Sequence, residues 1–253
     1  MCLLVYYCVY RYKKEINMKK FAYLLVFLAI AQWWFKYPVI EASSNDVSFN
    51  YVVKYTDGAE KRDRLPMLIA LHGNGDTLDG FYENALDQYK IPARIILLEG
   101  PISFGGGNAW PWTPVKIQEI GLAMSEVVEQ LTVKYSTVQK PVLLGFSGGG
   151  MMAYYQSLKH GSHYSYIFPI SGQIDENLVA GELFDINTSV FAYHGKNDRV
   201  VSFTSGKNAA RMLQEKGSNV SFTEFSGGHQ SIFTEMKSEI TSDVEGKMKG
   251  LVL

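Results

Sequence analysis

The sequence predicts an α/β domain: a mostly parallel, doubly wound sheet flanked by helices. Three observations carry that expectation. Short runs of β-type residues recur at 48–55, 67–71, 94–99, 141–146, 166–170, 189–194 and 221–225. The central runs are almost wholly apolar, as in Val142-Leu143-Leu144, the pattern of strands buried on both faces in a parallel sheet. Stretches with helical spacing alternate with them, which favours a doubly wound arrangement over separate helical and sheet regions.

The helical stretches follow from their own patterns. Residues 115–135 place Ile117, Ile120, Met124, Val127, Val128 and Leu131 at three- and four-residue spacing, one apolar face. Residues 150–158 are helix-compatible, and 204–216 end at Gly217, a good helix stop. In such a fold the chemistry belongs in the loops at the carboxyl ends of the strands.

Composition narrows the function. The 253 residues carry 24 Lys and Arg against 25 Asp and Glu, a formal net charge of −1. No broad basic field exists to attract phosphate backbones, so nucleic acid is not an expected partner. Cys2 and Cys8 both lie near the N-terminus, so the body holds neither a disulfide nor a thiolate metal site.

Residues 1–42 read as an N-terminal extension and targeting segment, and 43–253 as one domain without repeats. Met18-Lys19-Lys20 precedes an apolar run that ends in Ala29-Ile30-Ala31, the three parts of a secretory signal peptide. A second cleavage point follows Ala42. Counted through Gln32 to Phe35 the run is 15 residues, short of the roughly 20 that span a bilayer. Trp33, Trp34 and Tyr37 suit a membrane interface, so an uncleaved anchor stays open beside the signal peptide, with a buried core helix as the third reading. The expected location is therefore export, secreted or periplasmic, or membrane anchoring through residues 18–35. Met18 is a better start for such a signal than Met1.

The chemistry centres on Gly145-Phe146-Ser147-Gly148-Gly149, a Gly-x-Ser-x-Gly motif between a strand and a helix. Strand, sharp turn and helix form a nucleophile elbow, in which a serine sits in a strained backbone conformation and small neighbours avoid collision. A phosphate-binding glycine turn is the competing reading, but the Lys-Ser/Thr ending of a P-loop is missing. A serine hydroxyl needs a base. His229, in Ser226-Gly227-Gly228-His229 after the last strand, is the candidate. His160 and His163 flank a helix end and read as capping residues. Asp198, in the loop after strand 189–194, is the candidate acid that fixes the histidine's tautomer, with Asp175 as its competitor. The order Ser147, Asp198, His229 is that of α/β-hydrolases. The oxyanion donors expected are the backbone N–H groups of Gly148 and of Asn74, in the glycine-rich loop after strand 67–71. His72 in that loop reads as structural.

Leu-His-Gly-Asn-Gly-Asp at 71–76, Gly-Phe-Ser-Gly-Gly-Gly at 145–150, His-Gly-Lys-Asn-Asp at 194–198 and Gly-Gly-His at 227–229 together resemble the phospholipase/carboxylesterase family. The segment 100–110 and the turn Ile170-Ser171-Gly172 resemble that family too. The resemblance spans about residues 50–235 and implies an α/β-hydrolase fold. It also implies ester or thioester cleavage with neither cofactor nor metal, in small carboxylesterases, lysophospholipases or acyl-protein thioesterases. One departure stands out: many members carry Gln after the nucleophile, where this chain has Gly148, so a side chain near the acyl group is lost.

The next strand begins only 18 positions after Ser171, too little chain for a substantial cap domain, so an open site is expected. Trp110, Phe104 and Trp112 are the candidate substrate-binding residues, lining an acyl or leaving-group cleft, with surface-loop packing as the competing reading. The expected substrate is a small-molecule or lipid ester. Membrane association would run through the N-terminal apolar segment, and the oligomeric state is not encoded in any pattern. Alternatives on the same fold are a dienelactone-hydrolase-like, peptidase-like, or polyester or polysaccharide esterase. A catalytically silent ligand-binding protein is the alternative of another class.

Overall fold

The computed structural model describes residues 37–176 and 184–252. From Val39 onward the chain forms one unit around an eight-stranded sheet. In chain order the elements are β1 (Val39–Glu41), β2 (Ser48–Thr56), β3 (Met67–Leu71), a short α1 (Leu78–Phe81) and β4 (Ala93–Leu98). A two-stranded hairpin of β5 (Ile102–Phe104) and β6 (Gly107–Ala109) follows, then α2 (Pro114–Lys134) and β7 (Val142–Phe146). The rest are α3 (Gly148–Lys159), β8 (Tyr166–Ile170), β9 (Ser189–Gly195), α4 (Phe203–Glu215), β10 (Val220–Phe225) and α5 (Lys237–Gly250).

The sheet order is β1-β2-β4-β3-β7-β8-β9-β10. β2 runs antiparallel to both its neighbours, and the six strands from β4 to β10 are parallel. β3, β4 and β7 are buried at every residue, as their unbroken apolar runs require of strands covered on both sides. Met67, Ile69, Leu71, Leu143, Ile167 and Val190 join α2, α3 and α4 in one core. Leu144 and Ile170 point the other way, toward Leu86, Tyr89, Ile232 and Ile240.

α2 starts with Pro114 at its first turn, where a missing N–H costs nothing. Its buried row includes Ile117, Ile120, Gly121, Met124, Val128 and Leu131. Gly121 lets α3 approach closely: a Cβ there would lie 2.2 Å from the Tyr155 ring. Gly121→Ala is therefore expected to destabilise the protein by about 1–3 kcal/mol through overpacking. A lowered denaturation midpoint with unchanged slope would register it, and an unchanged midpoint would show that the helices separate without cost.

α3 begins two residues earlier than the periodicity predicts, at Gly148 rather than Gly150. Three glycines in a row are poor helix formers, but tertiary contact overrides propensity here. A Cβ on Gly149 would lie 2.4 Å from the Leu71 carbonyl, and one on Gly150 2.7 Å from that of Ile170. Two other elements have weak sequence signals. β1 lies in the segment assigned to the extension, and its three residues offer only Ile40 as an inward side chain. α5 is rich in charge, and its buried row Ile240, Val244, Met248 is a single narrow stripe.

Candidate active site

Parallel strands deliver the site at their carboxyl ends. Ser147 follows β7 and carries φ 55° and ψ −113°, a left-handed conformation that costs a non-glycine residue on the order of 1 kcal/mol or more. The turn holds because its neighbours lack side chains: a Cβ on Gly145 would lie 2.1 Å from the Gly149 carbonyl. Ser147 N–H also donates to the Ile170 carbonyl at 2.9 Å, tying the turn to β8.

Asp198 and His229 come from the loops after β9 and β10. The Ser147 hydroxyl lies 3.0 Å from His229 Nε2, and His229 Nδ1 lies 2.7 Å from Asp198 Oδ2. A carboxylate only accepts, so Nδ1 carries the proton and Nε2 is left to accept from the serine. The other oxygen, Asp198 Oδ1, accepts from the Val200 and Val201 N–H groups at 2.8 and 2.9 Å. His194 adds a contact that sequence reasoning did not assign: its Nε2 lies 3.4 Å from Asp198 Oδ2 and 3.0 Å from the Val201 carbonyl. The only hint in the sequence was its place in His-Gly-Lys-Asn-Asp. Asp175, the competing acid, is exposed, whereas the Asp198 side chain is fully buried.

The loop after β3 brings Gly73 and Asn74 beside the serine. A Cβ on Gly73 would lie 3.5 Å from Ser147 Cβ. This loop is held by His72, whose Nε2 accepts from Gly100 N–H at 2.9 Å while Nδ1–H donates to the Gly73 carbonyl at 2.7 Å. The β5–β6 hairpin clips on through Gly75 N–H to the Asn108 carbonyl and Asn108 N–H to the Asp76 carbonyl, at 2.8 and 2.9 Å. The Asn108 side chain adds a bond from Nδ2–H to the Gly100 carbonyl at 2.8 Å, tying the hairpin to the loop after β4, a link that only the assembled loops reveal.

An open cleft of about 620 Å³ lies over these groups, bordered by Asn74, Phe104, Trp112, Phe146, Met151 and Phe233 among others. Phe104 and Trp112 are exposed and meet edge to face, with ring centroids 6.4 Å apart. Trp110 requires a correction. The sequence places it with those two as a substrate-binding residue, but it is 0% exposed and absent from the cleft wall. Its ring packs near Phe49 and its Nε1–H donates to the His72 carbonyl at 2.9 Å, so the apolar ring and its polar edge are both satisfied in the core.

Burial pushes the His72 imidazole below its ordinary value of 6.5, against the smaller opposing effects of the Gly73 bond and the Asp76 and Glu99 charges. Burial pushes His194 the same way. The unfolded chain then binds protons that the folded protein refuses. Stability is full above about pH 6.5 and is lost as pH falls from there toward the depressed folded values. The melting temperature is expected to fall between about pH 7 and 5, and His72→Gln to flatten that slope. An identical slope in the variant would remove His72 as its source.

Among the described residues no cluster of His, Cys, Asp and Glu has the arrangement of a metal site. The sequence profile of the phospholipase/carboxylesterase family matches residues 58–242. An acyl-protein thioesterase 1 from Neurospora crassa is 33% identical over 201 residues, covering 67% of this chain and 82% of that protein. The Bacillus cereus carboxylesterase structure superposes with a TM-score of 0.64 at 16% identity, covering 79% of this chain and 94% of that one. Acyl-protein thioesterase 2 from Zea mays gives a TM-score of 0.56 at 19% identity, covering 79% and 99%. These two structures are similar in fold.

The expected location is corrected by the same comparisons. Likeness to an acyl-protein thioesterase overturns the expectation of an exported or membrane-anchored protein. Its basis, the apolar segment at 18–35, precedes the family match and lies outside the described residues. Among the described residues no helix is long and apolar enough to cross a membrane.

Proposed function

The chain belongs to the phospholipase/carboxylesterase family, and from that premise we propose that it cleaves carboxylic esters or thioesters through an acyl-enzyme on Ser147. As a member it is a hydrolase of the carboxylesterase and lysophospholipase type, acting on small-molecule or lipid esters. The observation that carries the mechanism is the hydrogen-bonded line Ser147, His229, Asp198, with links of 3.0 and 2.7 Å, opening onto the cleft.

In this reading His229 Nε2 takes the Ser147 proton as Oγ attacks the acyl carbon. The buried Asp198 carboxylate steadies the imidazolium that forms. Backbone N–H groups of Gly148 and Asn74 meet the oxyanion. Collapse of the tetrahedral intermediate breaks the bond to the leaving oxygen or sulfur, which receives the proton from Nε2. Water, deprotonated by the same nitrogen, then releases the acid and restores Ser147. The fungal relative's name favours a thioester on an acylated protein as one substrate, and the exposed rim formed by Phe104 and Trp112 suits a bulky leaving group.

The test is covalent. A fluorophosphonate probe incubated with the full-length protein should add its mass to the peptide containing Ser147. The labelled protein should lose turnover of p-nitrophenyl esters from C2 to C12 and of an S-acyl peptide. Labelling elsewhere, or undiminished turnover after stoichiometric labelling of Ser147, would reject the acyl-enzyme. The ratio of S-acyl peptide to oxygen-ester turnover separates the two substrate classes.

A further inference from the structure

The space above Gly148 is occupied by the side chain of Asn74. A Cβ built on Gly148 would lie 2.1 Å from Asn74 Oδ1 and 3.0 Å from its Nδ2. No side chain fits at 148 while Asn74 keeps this position. The amide is also fixed in orientation. Trp110 N–H donates to Asn74 Oδ1 at 2.9 Å, and an amide nitrogen could not accept that bond. Nδ2 and its two N–H donors are therefore on the other limb of the amide. Among the described residues Nδ2 has no acceptor in the protein, and Asn74 is exposed along the cleft that Ser147 and His229 line.

Behind Asn74 the support is rigid. Trp110 is fully buried, with its indole N–H held by the His72 carbonyl. His72 in turn is locked between Gly73 and Gly100. The bond into Oδ1 draws electron density from the amide and strengthens its N–H groups as donors.

We propose that Asn74 Nδ2 is a third oxyanion donor, giving an N–H to the substrate's carbonyl oxygen as that oxygen becomes negative beside Ser147. The inference deepens the acyl-enzyme reading and rests on it. It also gives Gly148 a physical reason: the position after the nucleophile is bare so that a side chain from the β3 loop can lie across it. A donor of this kind typically contributes about 10²–10³ in kcat, because it is aligned before the charge develops.

The experiment compares full-length wild type, Asn74→Ala, Asn74→Asp and Ser147→Ala on p-nitrophenyl butyrate. Both Asn74 variants keep the backbone N–H, so any loss belongs to the side chain. Asn74→Ala should lower kcat about 10²-fold with KM within about threefold of wild type. The acid limb of its kcat/KM profile should stay in place, since His229 is untouched. Asn74→Asp retains an oxygen for Trp110 N–H but puts an acceptor where the donor was, and should lose at least as much. If Asn74→Ala does not fold, this variant decides. Asn74 variants within about threefold of wild-type kcat, beside an inactive Ser147→Ala, would overturn the proposal and leave the serine mechanism standing. A loss confined to KM, or accompanied by a moved acid limb in Asn74→Ala, would overturn it as well. An active Ser147→Ala would instead sink the parent reading.

Discussion

Ser147→Ala is expected to lower kcat for ester hydrolysis by about 10⁴- to 10⁶-fold and to leave the fold intact. The substitution removes the single oxygen that lies 3.0 Å from His229 Nε2. His229, Asp198 and the backbone donors all remain, and they alone retain only a residual acceleration over water. Alanine inherits the same positive φ, so the turn is no more strained than before. Among the described residues the side chain hydrogen-bonds to His229 alone, and the backbone bond to Ile170 is unaffected. Turnover of C2 to C12 p-nitrophenyl esters, measured beside thermal unfolding, decides the matter. Activity within about tenfold of wild type in a folded variant would mean that Ser147 does not carry the acyl group.

Asp198→Asn is expected to cost about 10⁴-fold in kcat. The two N–H groups of Val200 and Val201 point at Oδ1 from 2.8 and 2.9 Å, so the amide oxygen of an asparagine must stay there. Its NH₂ then faces His229 Nδ1, where a proton already sits. The ring relieves that clash by moving the proton to Nε2, which now points a donor at the Ser147 hydroxyl and cannot take its proton. The loss should therefore fall on kcat with little change in KM. Asp175→Asn is the control, because that carboxyl is exposed. An Asp198→Asn enzyme within about tenfold of wild type, or an Asp175→Asn enzyme with the larger loss, would reassign the acid.

Much of the fold was legible because strong local signals coincide with it. The apolar runs at 67–71 and 166–170 match β3 and β8 to the residue. α2 lies one residue from its expected span, since an amphipathic face of that length has a single solution. Weak local signals did not resolve. The β5–β6 hairpin is three residues a side, and it is held by backbone bonds to Gly75 and Asp76 that no side-chain pattern encodes. The candidate residues Ser147, Asp198 and His229 stand out in sequence because loops at strand ends must be glycine-rich and short. Their burial and hydrogen bonds could not be read there.

By itself, then, the sequence determined a mostly parallel α/β sheet and a short set of polar residues at strand ends, because periodicity and glycine spacing are local properties of the chain, and its motifs carried the resemblance to the family. Only the tertiary structure decided which of three neighbouring aromatics is core and which two are rim. Trp110 is 0% exposed, while Phe104 and Trp112 are 52% and 60% exposed. It also decided that an amide from position 74 lies over position 148, and that His194 touches Asp198. Those outcomes depend on packing between segments distant along the chain, where an ångström of backbone approach chooses between a buried ring and an exposed one.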